Sequence, residues 1–328
     1  MKRILSILVI AATLLTAFAF AGCGKKETTE TLKLGLGIYT TATATDATED
    51  KDGQGQATST IAAVVVDNEG KVVKAFIDCA DNKVGYTFEG KAVANEAFTT
   101  KYEAGADYNM VAYGGATAEW FEQADAFCAL IVGKTAEEIL ALVAEDNKGT
   151  EEVVNAGCTI YVSEFAKAVE KAIANATEAN VTAENTLKLG VYTSQTTTDA
   201  NEDKAGSNKV ATTAFVAAVD AEGKVVAATT DAVEVTFGFE LDGTTTYDAA
   251  SAILTKREQG DDYGMKAYGG SAKEWYEQAD AFAAACVGKT AAEIADLMAE
   301  DYKGVEELQT AGCTIYVSDF VGAAVKIG

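Results

Sequence analysis

Chemistry in this chain has few starting points. Its 328 residues include no histidine, so no imidazole can act as a general base near neutral pH, as a zinc ligand or as a haem axial ligand. Ser-His-Asp and Cys-His hydrolases are excluded. Carboxylates, thiols, hydroxyls and whatever a bound cofactor supplies remain. The octet AGCTIYVS stands at Ala156–Ser163 and again at Ala311–Ser318, each time with a threonine (Thr159, Thr314) two residues after a glycine (Gly157, Gly312) and just ahead of an amphipathic run. A helix N-terminus there would welcome a phosphate through free backbone N–H groups and the helix dipole, although Glu164 and Asp319 already bring negative charge to its first turn. The glycine, threonine and serine would equally suit a tight turn packed on a core. A second grouping, Tyr113, Gly114, Gly115 and Trp120, recurs as Tyr268, Gly269, Gly270 and Trp275. It could rim a pocket for a planar ligand, or simply furnish the core face of a helix. No GxxxxGK[ST] phosphate loop is present. The acidic loops DATEDKDG and DANEDKAG carry part of a calcium-loop spacing, but Lys204 stands where glycine is required and Val210 where the closing glutamate belongs. They read as solvated loops, and no metal is expected.

The thiols offer one further possibility. Cys128 and Cys286 fall at nearly the same place on matching helices, and Cys158 and Cys313 lie in the octets. Export would permit the disulfides Cys128–Cys158 and Cys286–Cys313, leaving Cys79 over; five buried free thiols are the alternative. With no CxxC and no histidine, a thioredoxin-like redox role is disfavoured.

The elements that position these groups come in two sets. TLKLG at Thr31 recurs at Thr186, AYGG at Ala112 recurs at Ala267, and the octet at Ala156 recurs at Ala311, each pair 155 residues apart. Equal offsets at start, middle and end indicate a duplicated domain, each copy expected to fold around its own core. DNEG and DAEG read as turns of β-hairpins, with further strands expected over 84–88 and 233–239. Ser271-Ala-Lys-Glu274 reads as a capping box opening a helix whose first-copy counterpart starts at Thr117; Thr135-x-x-Glu138 and Thr290-x-x-Glu293 open another, and Ser163 and Ser318 cap a third after a last strand. The expected fold class is α+β.

The chain begins with two cations and an apolar run from Ile4 to Ala21, a secretory signal. Phe20-Ala21-Gly22-Cys23 resembles the lipobox of bacterial lipoproteins, which implies cleavage before Cys23, lipidation of its sulfur, and anchoring on the outer face of the cell membrane; an uncleaved membrane helix is the alternative. The expected organisation is a signal peptide over 1–22, a lipidated tether over 23–30, a first domain over 31–176, a linker over 177–185 and a second domain over 186–328. A formal charge of −24 repels nucleic acid and anionic lipid, so nucleic acid is not an expected partner.

The octets also resemble the FMN-binding domain family, whose strand–turn–helix motif ends in a Thr or Ser esterified to the FMN phosphate. Gly157 and Gly312 match the motif glycine, and Thr159 and Thr314 match the acceptor. The hairpin STIAAVVVDNEGKVVKAFI is similar to that family's opening strands. This sequence departs from the motif at Val153 and Leu308, at Ala156 and Ala311, and at Cys158 and Cys313. The resemblance implies tandem FMN-binding-like domains in an extracellular electron-transfer lipoprotein, with FMN bound covalently or not. The alternative is a non-catalytic surface lipoprotein that takes a small ligand or protein partner through the AYGG-Trp face. Either way the chain reads as a binding or electron-transfer module rather than a catalyst using its own side chains.

Overall fold

The computed structural model describes residues 31–328; the expected signal peptide, Cys23 and the expected tether lie outside them. Three long antiparallel strands lead, β1 (Lys33–Thr45), β2 (Gly53–Val66) and β3 (Val72–Tyr86). Asp67 forms the tight β2–β3 turn by accepting from the N–H groups of Glu69 and Lys71, and Gly70 takes the positive φ of 76° that the turn requires. The short β4 (Ala92–Val93) follows, then the helices α1 (Lys101–Ala104), α2 (Trp120–Leu130), α3 (Ala136–Leu140), α4 (Glu151–Asn155) and α5 (Ser163–Ala174), and β5 (Thr177–Glu178). The second half repeats the series without counterparts of β4 and β5: β6 (Thr186–Thr198), β7 (Gly206–Val219), β8 (Val225–Phe239), α6 (Lys256–Gln259), α7 (Trp275–Cys286), α8 (Ala291–Ala295), α9 (Glu306–Ala311) and α10 (Ser318–Ala324). The long strands have 13, 14 and 15 residues in both halves, so the matched spacing in the sequence corresponds to matched elements. The fold is mixed α and β, with one sheet ordered β4-β3-β2-β1-β5 and another ordered β6-β7-β8.

The two sheets are packed on each other. Along β2, Ala62, Val64 and Val66 face the first half's helices, while Ile61, Ala63 and Val65 face the other sheet. Along β7, Phe215, Ala217 and Val219 face helices, and Ala214, Val216 and Ala218 meet the first sheet. Strands covered on both faces have no polar side, which is the physical reason for the unbroken runs IAAVVV and AFVAAV. Reading each copy as self-contained accounts for the two helix–sheet cores but not for this third, shared one. Residues 177–185 also belong to the body: β5 extends β1, Val181 is buried in the inter-sheet core, and the Asn185 carbonyl accepts from Lys74 at 2.5 Å. The acidic loops tie across the halves. Asp46 accepts from the Thr245 N–H, and Asp199 pairs with Lys91 and accepts from the Ala92 N–H.

Several local expectations are corrected. The strands expected over 84–88 and 233–239 are the ends of the continuous β3 and β8. The octet contributes no strand: it runs from the end of α4 or α9 through a glycine at φ 103° or 104° into α5 or α10, with a single bridge at Tyr161 or Tyr316. Thr117 and Ser271 do not open helices. α2 and α7 begin at Trp120 and Trp275, capped by Glu119 and Glu274 in reciprocal bonds with Glu122 and Glu277. Ser163 and Ser318 lie one residue inside the N-caps Val162 and Val317. All five cysteines among the described residues are free and buried. Burial pushes Cys79 and Cys286 up to about 12 and Cys158 and Cys313 up to about 11, with Cys128 higher still, so little thiolate forms to react.

Candidate functional site

A cleft of about 570 Å³ opens in the first half where β1, β2 and β3 meet α1, α2 and α5. Trp120, Tyr108, Tyr39 and Tyr161 give it aromatic walls, and Lys101, Lys167 and Glu164 supply its charges. The matching cleft of the second half, lined by Trp275, Tyr263, Tyr316, Lys256 and Asp319, encloses about 250 Å³.

Each central lysine is held by its helix start. Thr100 caps α1: its hydroxyl accepts from Glu103 N, its N–H donates to Glu103, and its hydroxyl donates to Asp78 Oδ2 at 2.7 Å. Asp78, buried on β3, also accepts from the N–H groups of Cys79 and Tyr102, so α1 is fastened to the sheet on both sides of Lys101. Burial pushes the Asp78 carboxyl up despite these donors. In the second half Thr255, Glu258 and Asp231 do the same for Lys256, and burial raises Asp231 to about 6.

Lys101 Nζ lies 5.4 Å from the Tyr108 ring centre and 5.9 Å from that of Trp120; Lys256 Nζ lies 5.1 and 5.4 Å from Tyr263 and Trp275. These are cation–π distances. Here the halves diverge. Lys256 also pairs with Glu234 Oε1 at 3.0 Å, whereas none of the ion pairs among the described residues uses Lys101. Both ammonium groups lie above the ordinary lysine value. Burial opposes the charge in each, while Cys79, Tyr108 and Asp81 favour it around Lys101 and Glu234 favours it at Lys256. Cys79 remains a neutral thiol at neutral pH, so it does not balance the Lys101 charge. The Glu164 carboxylate is engaged by the hydroxyls of Thr41 at 3.4 Å and Thr60 at 3.3 Å, which places the chain's own anion at the start of α5.

The residues singled out in the sequence divide sharply. Trp120 and Trp275, 5% and 4% exposed, line the two clefts. Tyr113 and Tyr268 point into solvent, 88% and 91% exposed, and neither they nor Gly114, Gly115, Gly269 and Gly270 line a cleft. Their loops are tied down by the cap residue: Glu119 accepts from the N–H groups of Met110 and Val111, and Glu274 from those of Met265 and Lys266. Gly157 and Gly312 make the positive-φ turns. Thr159 and Thr314 stand exposed beside the clefts, not within their linings; each gives its N–H and hydroxyl to the buried Gln123 or Gln278. The octet residues that do line the first cleft are Ile160, Tyr161 and Ser163. Lys101, Lys256 and their anchors were missed, though the Thr-x-x-Glu spacing of TKYE and TKRE, a capping signal just ahead of a tyrosine, marks them in the sequence.

FMN tests this geometry in two parts. Its ring would find Trp120, Tyr108 and Tyr39 in a cleft within the size range of small-molecule sites, and Lys101 would answer its phosphate. The octet threonines would have to leave their glutamine partners to become ester links, and the α5 N-terminus carries Glu164. The residues therefore fit a non-covalently held planar acid better than a threonine-linked one. Among the described residues, no group of three His, Cys, Asp or Glu side chains is arranged to hold a metal ion. No family model, curated protein or solved structure matches the chain.

Proposed function

We propose that this is an exported lipoprotein, anchored through Cys23, that binds one planar aromatic ligand with an acidic group, non-covalently, in the cleft of its first half. FMN is the ligand of that class to which the octets' resemblance points, and with it the chain would act as a surface flavin carrier or electron-transfer module. When bound, FMN would supply the redox chemistry; the chain's part is to stack the ring on Trp120 and Tyr108, meet the acid with Lys101, and shield the face against β1–β3. The observation that carries this reading is the half-buried Lys101, set against two aromatic rings in a 570 Å³ cleft and, among the described residues, in no ion pair.

Equilibrating the purified protein with FMN and removing free flavin tests it. The expected protein is yellow at one flavin per chain and becomes colourless, at unmodified mass, after denaturation and desalting. A protein that takes up no flavin removes the flavin assignment; a mass increase on Thr159 or Thr314 that survives denaturation would show covalent attachment instead. Lipid anchoring is tested by growing cells with a labelled fatty acid: the wild-type chain should carry the label and Cys23→Ala should not, and an unlabelled wild-type chain would remove the lipoprotein assignment.

A second reading is favoured by the solvent-facing Tyr113 and Tyr268: a non-catalytic surface lipoprotein that docks a protein partner through its AYGG loops, with flavin binding lost. Colourless protein that still binds a partner, and loses it in Tyr113→Ala, would support that reading.

A further inference from the structure

The two clefts share their tryptophan, tyrosine and lysine walls, so the fate of one carboxylate stands out. Asp81 on β3 and Glu234 on β8 occupy matching strand positions, and their directly opposite neighbours differ: Thr58 faces Asp81, and Ala211 faces Glu234. In the first half the Thr58 hydroxyl donates to Asp81 Oδ1 at 2.9 Å and Gln56 Nε2 donates to the same oxygen at 2.6 Å. The carboxylate is short and held along the strand; among the described residues it forms no ion pair with Lys101, although its charge still favours that ammonium from a distance. In the second half alanine offers no hydroxyl and the Gln56 position is Lys209. The longer Glu234 reaches Lys256 at 3.0 Å and Lys209 at 3.5 Å, and those lysines hold its carboxyl below the usual range against the effect of burial.

A second difference acts in the same direction. Lys167 of the first cleft becomes Gly322, and the Tyr192 ring lies against that glycine, 2.8 Å from where a Cβ would stand. In the first half the corresponding Tyr39 instead meets the Lys167 ammonium, 3.1 Å from its hydroxyl and 4.6 Å from its ring centre. The first cleft thus keeps two lysines against one glutamate in its lining, and the second keeps one lysine, already paired, against an aspartate.

We propose that Thr58 and Asp81 are positioning residues that set ligand specificity in the first cleft: by holding the carboxylate on the strand they leave the Lys101 ammonium to the acidic group of an aromatic ligand, whereas in the second cleft Glu234 takes that place from within the chain. This rests on the reading that the first cleft binds aromatic acids, and it extends that reading from a site to the residues that select its ligand. It makes the molecule a one-site binder despite its two similar halves.

The test uses the whole chain in detergent and two fluorescent probes of one ring system, anilinonaphthalene sulfonate and the uncharged phenylnaphthylamine. Wild type should bind one sulfonate per chain, about tenfold or more tighter than the amine, the strength of a charge-assisted contact. The double variant Thr58→Ala/Asp81→Glu, which copies the facing pair of the second half, should bring the two affinities to within about twofold of each other, and Thr58→Ser alone should keep the wild-type ratio. A variant that merely loses packing would lose both probes together, so the ratio is the readout. An unchanged ratio in the double variant, with both probes still bound, overturns the proposal while the cleft remains a binding site. Failure of wild type to bind either probe overturns the cleft reading and this proposal together.

Discussion

The first and second clefts are built from the same tryptophan, tyrosine and lysine on the same elements, yet one leaves its lysine unpaired and the other neutralises it. What separates them lies partly behind the walls and partly in them. Thr58 opposite Asp81 has become Ala211 opposite Glu234, and Lys167 has become Gly322. Similar walls do not make equivalent sites. A buried cation already paired by its own chain has little to offer a ligand, because the incoming acid must displace a partner whose removal leaves a buried charge exposed to a low-dielectric surround. On the proposed reading, Thr58 and Asp81, both outside the lining, decide which of the two similar clefts reads charge.

Packing should be the feature the halves share, and the largest effects test that. Trp120 and Trp275 are each almost fully buried and meet Phe165 and Phe320 at 5.5 and 5.4 Å between ring centres. Trp120→Ala and Trp275→Ala should each cost about 3–5 kcal/mol in urea unfolding; a much smaller loss in one would show that its half is not packed as described. Close approach gives a parallel pair. A Cβ on Gly37 would stand 2.1 Å from the Ala168 carbonyl oxygen, and one on Gly190 would stand 2.0 Å from that of Ala323, so alanine at either should separate strand from helix and cost about 1–3 kcal/mol.

Charge should distinguish the halves. Lys101→Met is expected to weaken FMN binding about tenfold or more, while Lys256→Met changes it less than about twofold; equal losses would erase the distinction between the clefts. A smaller, pH-dependent difference belongs to the helix anchor. Asp231 has a folded value of about 6 against an ordinary 3.8, so between these values the folded chain keeps a proton that the unfolded chain has lost. Stability from this group is full below about 4 and declines as pH rises through about 6. Acidification also relieves the repulsion of a −24 chain, so the comparison is with Asp231→Asn, whose urea midpoint should change less over that interval. An identical slope would remove Asp231 as its source. Smallest of all, Tyr113→Ala and Tyr268→Ala should shift stability by no more than about 0.5 kcal/mol, since their rings lie in solvent.

Much of this architecture was legible in the sequence, and the failures have physical causes. The hairpin turns at Asp67 and Asp220 and the caps at Thr135 and Thr290 follow from local chemistry that tertiary structure did not disturb. Thr, Ile, Tyr and Val in the octet favour a strand, and its glycine equally suits a tight turn; bonding to Gln123 and Gln278 selects the turn. Ser271 looked like a cap, but Glu274 binds both the helix start and the loop before it and so takes the role. The shared inter-sheet core was hidden because a run apolar on both faces has no period that names its partner. The candidate site was half legible: tryptophan stood out as a wall residue, while the lysine's status depended on which residue faces Asp81 or Glu234 across the sheet, a matter of register.

The central claim, one charge-reading cleft in a two-cleft molecule, is tested most directly by the number of FMN molecules the whole chain binds at equilibrium. One per chain is expected, its affinity falling about tenfold or more in Lys101→Met and less than about twofold in Lys256→Met. Two per chain, or one whose affinity holds in Lys101→Met and falls in Lys256→Met, would contradict it.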